Sequence, residues 1–443
     1  MNFDRMRALL LEQAIRGELV PQLDSEGVVE QERDAPEEIP FEIPKSWKWV
    51  QLCTLASIVR GGSPRPIKSY ITDSPDGLNW IKIGDAERGT SRITKCAEKI
   101  IPEGLKKTRY IKKGSLLLTN SMSYGYPYIL EVDGCIHDGW LAFSNFEEIV
   151  TIEYLYYTLL SPYCRSTFVS KAAGAVVKNL NIEKVKEVFI PVPPLDEQKR
   201  IVVKLEKAFA EIDRAEKAYQ ELQTLSDALT KQILQKAIQG RLVPQLESEP
   251  DVVQIGEPPE EVPFAIPEKW KWIRLDSIAQ IVRGGSPRPI KAFLTDQEDG
   301  LNWIKIGDAD RGTPKITNCA EKIKREGLKK TRFVKKGSLL LTNSMSFGFP
   351  YILEVDGCIH DGWLAFYDFE HYADRDFLYY VLLSPFCKKS FLDKAAGAVV
   401  KNLNIDKVKS VWIPLPPLDE QRRIVSQLEK LLNSVNQLSA PKL

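Results

Sequence analysis

The sequence predicts an α+β protein with mixed β-sheets: two tandem copies of one domain, separated by a long antiparallel helical coiled coil. Three observations carry this reading. The chain repeats itself at one fixed spacing, each copy holds short β-like runs broken by turn residues, and a heptad pattern follows each copy. Such a duplication implies a pseudo-two-fold relation between the copies.

The repeat is the dominant feature. RGGSPRPIK begins at Arg60 and again at Arg283, and GLNWIKIGDA at Gly77 and Gly300. KKGSLLLTNSMS begins at Lys112 and Lys335, and KAAGAVVKNLNI at Lys171 and Lys394. Every pair lies 223 residues apart, so no insertion or deletion intervenes. LVPQL at Leu19 and Leu242 keeps the spacing, as does P-x-P-P-L-D-E-Q at Pro191 and Pro414. Solenoid repeats run about 20–50 residues, so this is a duplicated domain with its connector.

Within the first copy, Asn79–Ile83, Ser115–Thr119, Tyr128–Val132 and Trp140–Phe143 read as strands between Gly, Asn, Asp and Pro turns. Helical periodicity runs from Glu153 through EYLYYTLLSPYCRSTF, and Val188–Val192 reads as a further strand. After Asp196, a natural N-cap, the apolar positions Ile201, Leu205, Ala208, Ile212, Ala215, Tyr219, Leu222, Leu229 and Ile233 step by four and three. That seam predicts one helix from Asp196 to about Gln239, stopped by Gly240. The second copy has room for only the first half of this helix, with Ile424, Leu428, Leu431, Val435 and Leu438 as its seam. The other half stands at the N-terminus, where Phe3, Met6, Leu10 and Gly17 match Ser226, Leu229, Ile233 and Gly240. The end helices then form one nicked copy of the central helix, in a ring whose helices run antiparallel and bury their seams. The resulting order is an N-terminal helix (1–24), an acidic linker (25–45), a domain (46–195) and the central helix (196–240). A second linker (241–268), a second domain (269–418) and a C-terminal helix (419–443) follow.

Composition is that of a globular chain, 43% apolar and 27% charged. Seven cysteines without a Cys-x-x-Cys pair point to a reducing compartment. The opening residues are too polar for a signal peptide, and no apolar run reaches the ~18 residues of a membrane span, so a cytoplasmic protein is expected. Net charge is only +1, yet residues 60–113 carry thirteen Lys/Arg against six Asp/Glu. A basic surface for nucleic acid therefore fits inside a neutral total.

PVPPLDEQKRIVVKLE from Pro191 and PLPPLDEQRRIVSQLE from Pro414, with KNLNI before them and LTKQILQKAIQGRLVPQL from Leu229, closely resemble the boundary motifs of type I restriction–modification specificity subunits. The resemblance covers nearly the whole chain. It implies two target-recognition domains that read double-stranded DNA, and helices on which two methylation subunits dock, joined by restriction subunits. It further implies that S-adenosylmethionine, ATP and Mg are bound by those partners, leaving this chain no cofactor, metal or catalytic residue of its own. One departure stands out: most members of the family carry two different domains, whereas these are nearly the same.

Candidate DNA-contacting residues follow from motif chemistry. RGGSPRP offers Arg60, Arg65 and nearby Lys68, repeated as Arg283, Arg288 and Lys291, either for guanine or phosphate or as an ordinary surface turn. LNWIKIGD offers Asn79 and Lys82, repeated as Asn302 and Lys305, around a core Trp80. Lys106 and Lys107, repeated as Lys329 and Lys330, suit phosphates. In TNSMSYGYPY, Asn120 and Asn343 can pair with adenine, Ser123 and Ser346 with phosphate, and Tyr124 is a core residue or a base-stacker. KAAGAVVKNLN places Lys178 and Asn179, repeated as Lys401 and Asn402, at a candidate phosphate nest. CIHDGW joins Cys135 and His137, but a closed zinc site needs four ligands, and a His in the core or at the DNA backbone is the alternative.

No phosphate-binding G-x-x-x-x-G-K-[ST] motif occurs, and no Asn/Asp-Pro-Pro-aromatic string of adenine methyltransferases. Pro75-Asp76 hints at a nuclease carboxylate, but the second copy has Glu298-Asp299 there. A symmetric scaffold or carbohydrate-binding repeat is the other rival, and it would lack salt-dependent DNA affinity. Two near-identical readers approaching the duplex in opposite directions imply an interrupted palindrome.

Overall fold

The structure, a computed structural model, describes residues 2–30, 36, 38–87, 89–121, 124–172, 180–310, 312–344, 347–395 and 403–439. It divides into two compact units, Met1–Tyr219 and Gln220–Leu443.

Unit 1 opens with the helix Phe3–Arg16, whose first turn is capped by the Asn2 side chain accepting from the Arg5 N–H at 2.9 Å. It stops at Gly17, where φ is 74° and the Gly17 and Glu18 N–H groups return to Ala14 and Gln13. A Cβ on Gly17 would lie 2.3 Å from Pro44 Cγ, so the turn needs glycine for conformation and for space. Phe41, in the described part of the linker beyond, packs on the domain. Phe41 stacks edge-on against Trp49 and Tyr163, and the Arg16 guanidinium sits 4.5 Å over the Phe41 ring.

The domain itself is three layers deep. Its middle layer is a five-stranded sheet in the order Ser57–Arg60, Trp140–Ser144, Leu116–Thr119, Pro127–Leu130, Arg92–Ile93. Only its last pair is parallel. The period-2 alternation explains the layering: Leu116 and Leu118 face a helical layer with Leu155, Leu159 and Phe168, while Leu117 faces the other way with Ile81 and Ile136. Those last residues belong to a second five-stranded sheet, ordered Ile71–Thr72, Glu98–Ile100, Leu78–Ile81, Gly134–Ile136, Arg109–Ile111, with one parallel pair. A third, two-stranded sheet joins Lys48–Gln51 to Phe189–Val192, closing the start of the domain on its end.

Several expected boundaries move. The helical run from Glu153 is two helices, Ile152–Leu160 and Pro162–Ala172, because Pro162 cannot donate into a continuing helix. Ile83 leaves the strand for a short 3-10 turn, Ile83–Asp85. The central helix runs Leu195–Ile238. Asp196 is therefore not its N-cap: the Gln198 N–H already bonds the Pro194 carbonyl, and Asp196 lies exposed in the first turn, paired with Lys199 at 2.8 Å. That pairing holds its carboxyl below the ordinary value.

The antiparallel helix pairing appears inside each unit. In unit 1, Phe3 meets Tyr219 and Arg7 reaches Asp213 and Glu216 at 2.6 and 2.5 Å, while farther along Gln22 reaches Glu197. In unit 2, Gln223 donates to the Ser439 carbonyl at 3.2 Å and Gln245 reaches Glu420 at the other end of Leu418–Ser439. Burial of the seam departs from expectation. Ile201, Leu205, Ile212 and Ile233 are buried, but Ala215, Leu222 and Leu229 are exposed. Toward its end the helix buries Leu234, Ala237 and Ile238 against its own domain beside Trp270, one residue off the predicted register. Leu11, Ala14 and Ile15 repeat that stripe in the first helix.

Unit 2 otherwise reproduces unit 1, with the same strand orders in both five-stranded sheets. Gly240 has φ 68°, with Pro267 Cγ 2.2 Å from where its Cβ would stand. Gly240→Ala is expected to cost at least about 1–2 kcal/mol from the left-handed backbone alone. Urea unfolding measures it, and an unchanged midpoint would show that this turn is unconstrained.

Candidate nucleic-acid interface

The edge strand Ser57–Arg60 runs straight into the RGGSPRP loop, and two glycines let that loop lie flat on its neighbours. Gly61 N–H bonds the Trp140 carbonyl at 3.0 Å and Gly62 N–H the Ile136 carbonyl at 3.1 Å. A Cβ at Gly61 would meet the His137 carbonyl at 2.1 Å, and one at Gly62 the Lys107 carbonyl at 2.5 Å. The loop is thus clasped between the CIHDGW turn and the end of the Lys106–Lys107 segment.

Asp138 is the hub of this clasp, and sequence reasoning did not single it out. Its carbonyl accepts from Arg60 Nε and from Asn120 Nδ2, both at 3.1 Å. Its carboxylate accepts from the Ser63 hydroxyl at 2.9 Å and lies 3.9 Å from the Arg65 guanidinium. His137 completes the set. Its Nδ1 accepts the Gly139 N–H at 3.0 Å, which leaves Nε2 protonated and able to donate to Asp138 Oδ1 at 3.1 Å. Both ring nitrogens are therefore occupied by protein groups, and the ring stands edge-on to buried Trp80. The signal that marked Asp138 was its place in a hexapeptide identical in both copies.

The second copy repeats the arrangement through Asp361. Arg283 Nε and Asn343 Nδ2 reach its carbonyl at 2.7 and 3.2 Å, and Ser286 its carboxylate at 2.7 Å. Burial pushes the Asp361 carboxyl upward, but the Ser286 hydroxyl, His360, Arg283 and Arg288 outweigh it and hold it below its usual value. Burial lowers His360.

The other candidates sort by what they touch. Arg65 is 84% exposed, and Lys68, Lys106, Lys107, Lys291, Lys329 and Lys330 are exposed beside their loops. Lys107 and Lys330 lie 5.3 Å over Tyr70 and Phe293. Lys82 and Lys305 are paired with Glu98 and Glu321 at 2.6 and 2.7 Å. Asn120 and Asn343 are buried, and their Oδ1 atoms have no partner among the described residues, so these side chains hold the Asp138 and Asp361 carbonyls rather than face solvent. Asn79 and Asn302 turn away, donating to the Asp133 and Asp356 carbonyls. Tyr124 packs partly buried on the helical layer, its carbonyl taken by Arg165. Ser123, Lys178, Asn179, Ser346, Lys401 and Asn402 lie outside the described residues. In unit 1, Arg65, Trp80, Lys82, Glu98 and His137 line an open cleft of about 810 Å³ beneath the loop. An exposed arginine rim around an apolar floor is suited to a phosphate-bearing, base-bearing ligand.

Comparison with known proteins identifies the family. The chain is similar to the EcoAI specificity subunit of Escherichia coli, 23% identical over 98% of this chain and 90% of that one. It is also similar to the EcoBI specificity subunit of Escherichia coli (22%, 88% and 80%) and the MjaIX specificity subunit of Methanocaldococcus jannaschii (23%, 90% and 91%). Among solved structures, the HsdS subunit of Thermoanaerobacter tengcongensis superposes with a TM-score of 0.56 at 21% identity, over 90% of this chain and 92% of that one. A chain from a type I restriction–modification assembly superposes with a TM-score of 0.70 at 20% identity, over 90% and 93%, and shares the fold. The sequence profile of the type I restriction modification DNA specificity domain matches twice, at residues 44–224 and 267–443, and the chain belongs to that family.

Proposed function

We propose that this chain is the non-catalytic DNA-reading subunit of a type I restriction–modification complex and that it reads a bipartite site, one half per domain. The observation that carries the reading is the arginine loop clasped by Asp138 and repeated around Asp361, set in a family of DNA specificity domains. Within each loop, Arg65 and Arg288 reach base edges or phosphates, and the exposed lysines at 106, 107, 329 and 330 grip the backbone. Lys68 and Lys291 extend that grip. The residues outside the described set, Ser123, Lys178 and Asn179 with their copies, stay candidates for the same surface.

Because the two loops are the same, the half-sites are near-identical, and the target we infer is an interrupted palindrome with an unread spacer. Partner subunits supply the chemistry. Two methylation subunits dock on the outward faces of the helices, restriction subunits join through that complex, and S-adenosylmethionine, ATP and Mg belong to these partners. The complex acts in the cytoplasm. Among the described residues no helix is long and apolar enough to cross a membrane.

Binding should weaken steeply with salt as counterions return to the duplex. Replacing Lys106 and Lys107 by Ala is expected to weaken all sequences alike and to flatten the salt slope by about two. Asp138→Asn, which removes the counter-charge but keeps an acceptor for Ser63, is expected to raise affinity for unrelated DNA and lower discrimination between the correct half-site and one with a changed base pair by about tenfold. Filter binding at several salt concentrations reads both, and salt-independent binding would refute the reading. Modified-base sequencing of host DNA is expected to show adenine methylation in both halves of an interrupted palindrome. A methylated direct repeat, or two unrelated halves, would contradict the symmetric target.

A further inference from the structure

The head of each long helix is bolted into its domain by buried polar groups that the reading of DNA does not use. Glu197 is 1% exposed, and both its oxygens are taken: Oε2 accepts Trp47 Nε1 at 2.9 Å and Oε1 accepts Gln22 Nε2 at 2.5 Å. Gln198 is fully buried beside it. It donates to the Ile149 and Pro193 carbonyls at 3.0 and 2.8 Å and accepts the Thr151 N–H at 2.8 Å. Less than a turn on, Arg200 donates to Glu26 at 2.7 Å and to the Pro21 carbonyl at 3.1 Å. The first turn of the helix is thus tied to the incoming linker, to the start of the domain and to its helical layer.

Unit 2 builds the same bolt from its own residues. Glu420 accepts Trp270 Nε1 at 2.9 Å and Gln245 Nε2, Gln421 joins Tyr372, Asp374 and Pro416, and Arg423 clamps Glu249.

Apolar packing lets one element slide on another at little cost, because it has no direction. A buried carboxylate does not, since a small rotation leaves its charge without a donor. The bolt therefore holds each domain at one angle on its helix. A reader of two half-sites needs such an angle, because successive base pairs turn by about 35° and rise about 3.4 Å. A domain free to rock would accept neighbouring spacer lengths.

We propose that Glu197 and Glu420, with their partners Trp47 and Trp270, are positioning residues that hold each domain at one angle on its helix and so make the chain discriminate between spacer lengths, leaving the bases of each half-site to the arginine loops. The proposal rests on the bipartite reading above. Its test uses the chain in complex with methylation subunits, and duplexes that carry the same half-sites with spacers lengthened or shortened by single base pairs. The variant is Trp47→Phe with Trp270→Phe, which removes the N–H donors and keeps an aromatic ring; the volume lost with the indole's second ring lowers stability but favours no particular spacer.

The expected result is methylation spreading to spacers one pair longer and shorter, with spacer discrimination falling about tenfold, the worth of a hydrogen bond to a charged group. Preference for the bases of each half-site stays as it was. A variant that slows on every duplex alike while keeping one spacer would overturn the proposal, and so would a change in half-site bases. Should the double variant not fold by thermal melting, Trp47→Phe alone carries the same test, since it leaves unit 2 intact. If the unaltered complex is indifferent to spacer length, the bipartite reading itself fails, a result separate from failure of the bolt.

Discussion

A carboxylate without solvent has to be met by donors, and at Glu197 and Glu420 those donors come from residues about 150 and 175 positions upstream in the chain. This constraint fixes where the linker, the domain and the helix can lie within each unit. Burial pushes both carboxyls up, while the indole and amide N–H groups pull them down, and the net direction is upward. The indole and amide bonds therefore offset only part of the cost of burying the charge.

From that anchor the domain grows outward in layers, and the arginine loop follows the edge strand of the middle sheet. There the problem is reversed. Several cations lie near one another, around one carboxylate in each copy. Asp138 and Asp361 supply the counter-charge, and the flat approach of Gly61 and Gly284 lets the loop reach it. The buried amides of Asn120 and Asn343 then fix the backbone on which the aspartates ride.

Much of this was legible in the sequence. The duplication, the strands around Leu116–Thr119 and Trp140–Ser144 and the helix Leu195–Ile238 follow from spacing and periodicity alone. The arginine loop was visible as a Gly/Pro turn carrying two arginines, a pattern that an ordinary surface turn also fits. Asn120 was read by its hydrogen-bonding chemistry, and burial put that chemistry to work inside the protein instead. The apolar stripe at Leu234, Ala237 and Ile238 was missed because a heptad pattern does not say whether a helix or a sheet covers it. Glu197 and Asp138 were missed for a related reason: a charged side chain in sequence looks solvated until the fold supplies its partners.

The central claim is that this one chain reads the same short sequence twice. Selection of duplexes from a random pool by the purified chain, followed by sequencing of what it retains, tests that claim without any partner or host. The account predicts enriched molecules with one motif present twice, inverted, at a single separation. Enrichment of one motif alone, or of two unrelated motifs, would contradict it.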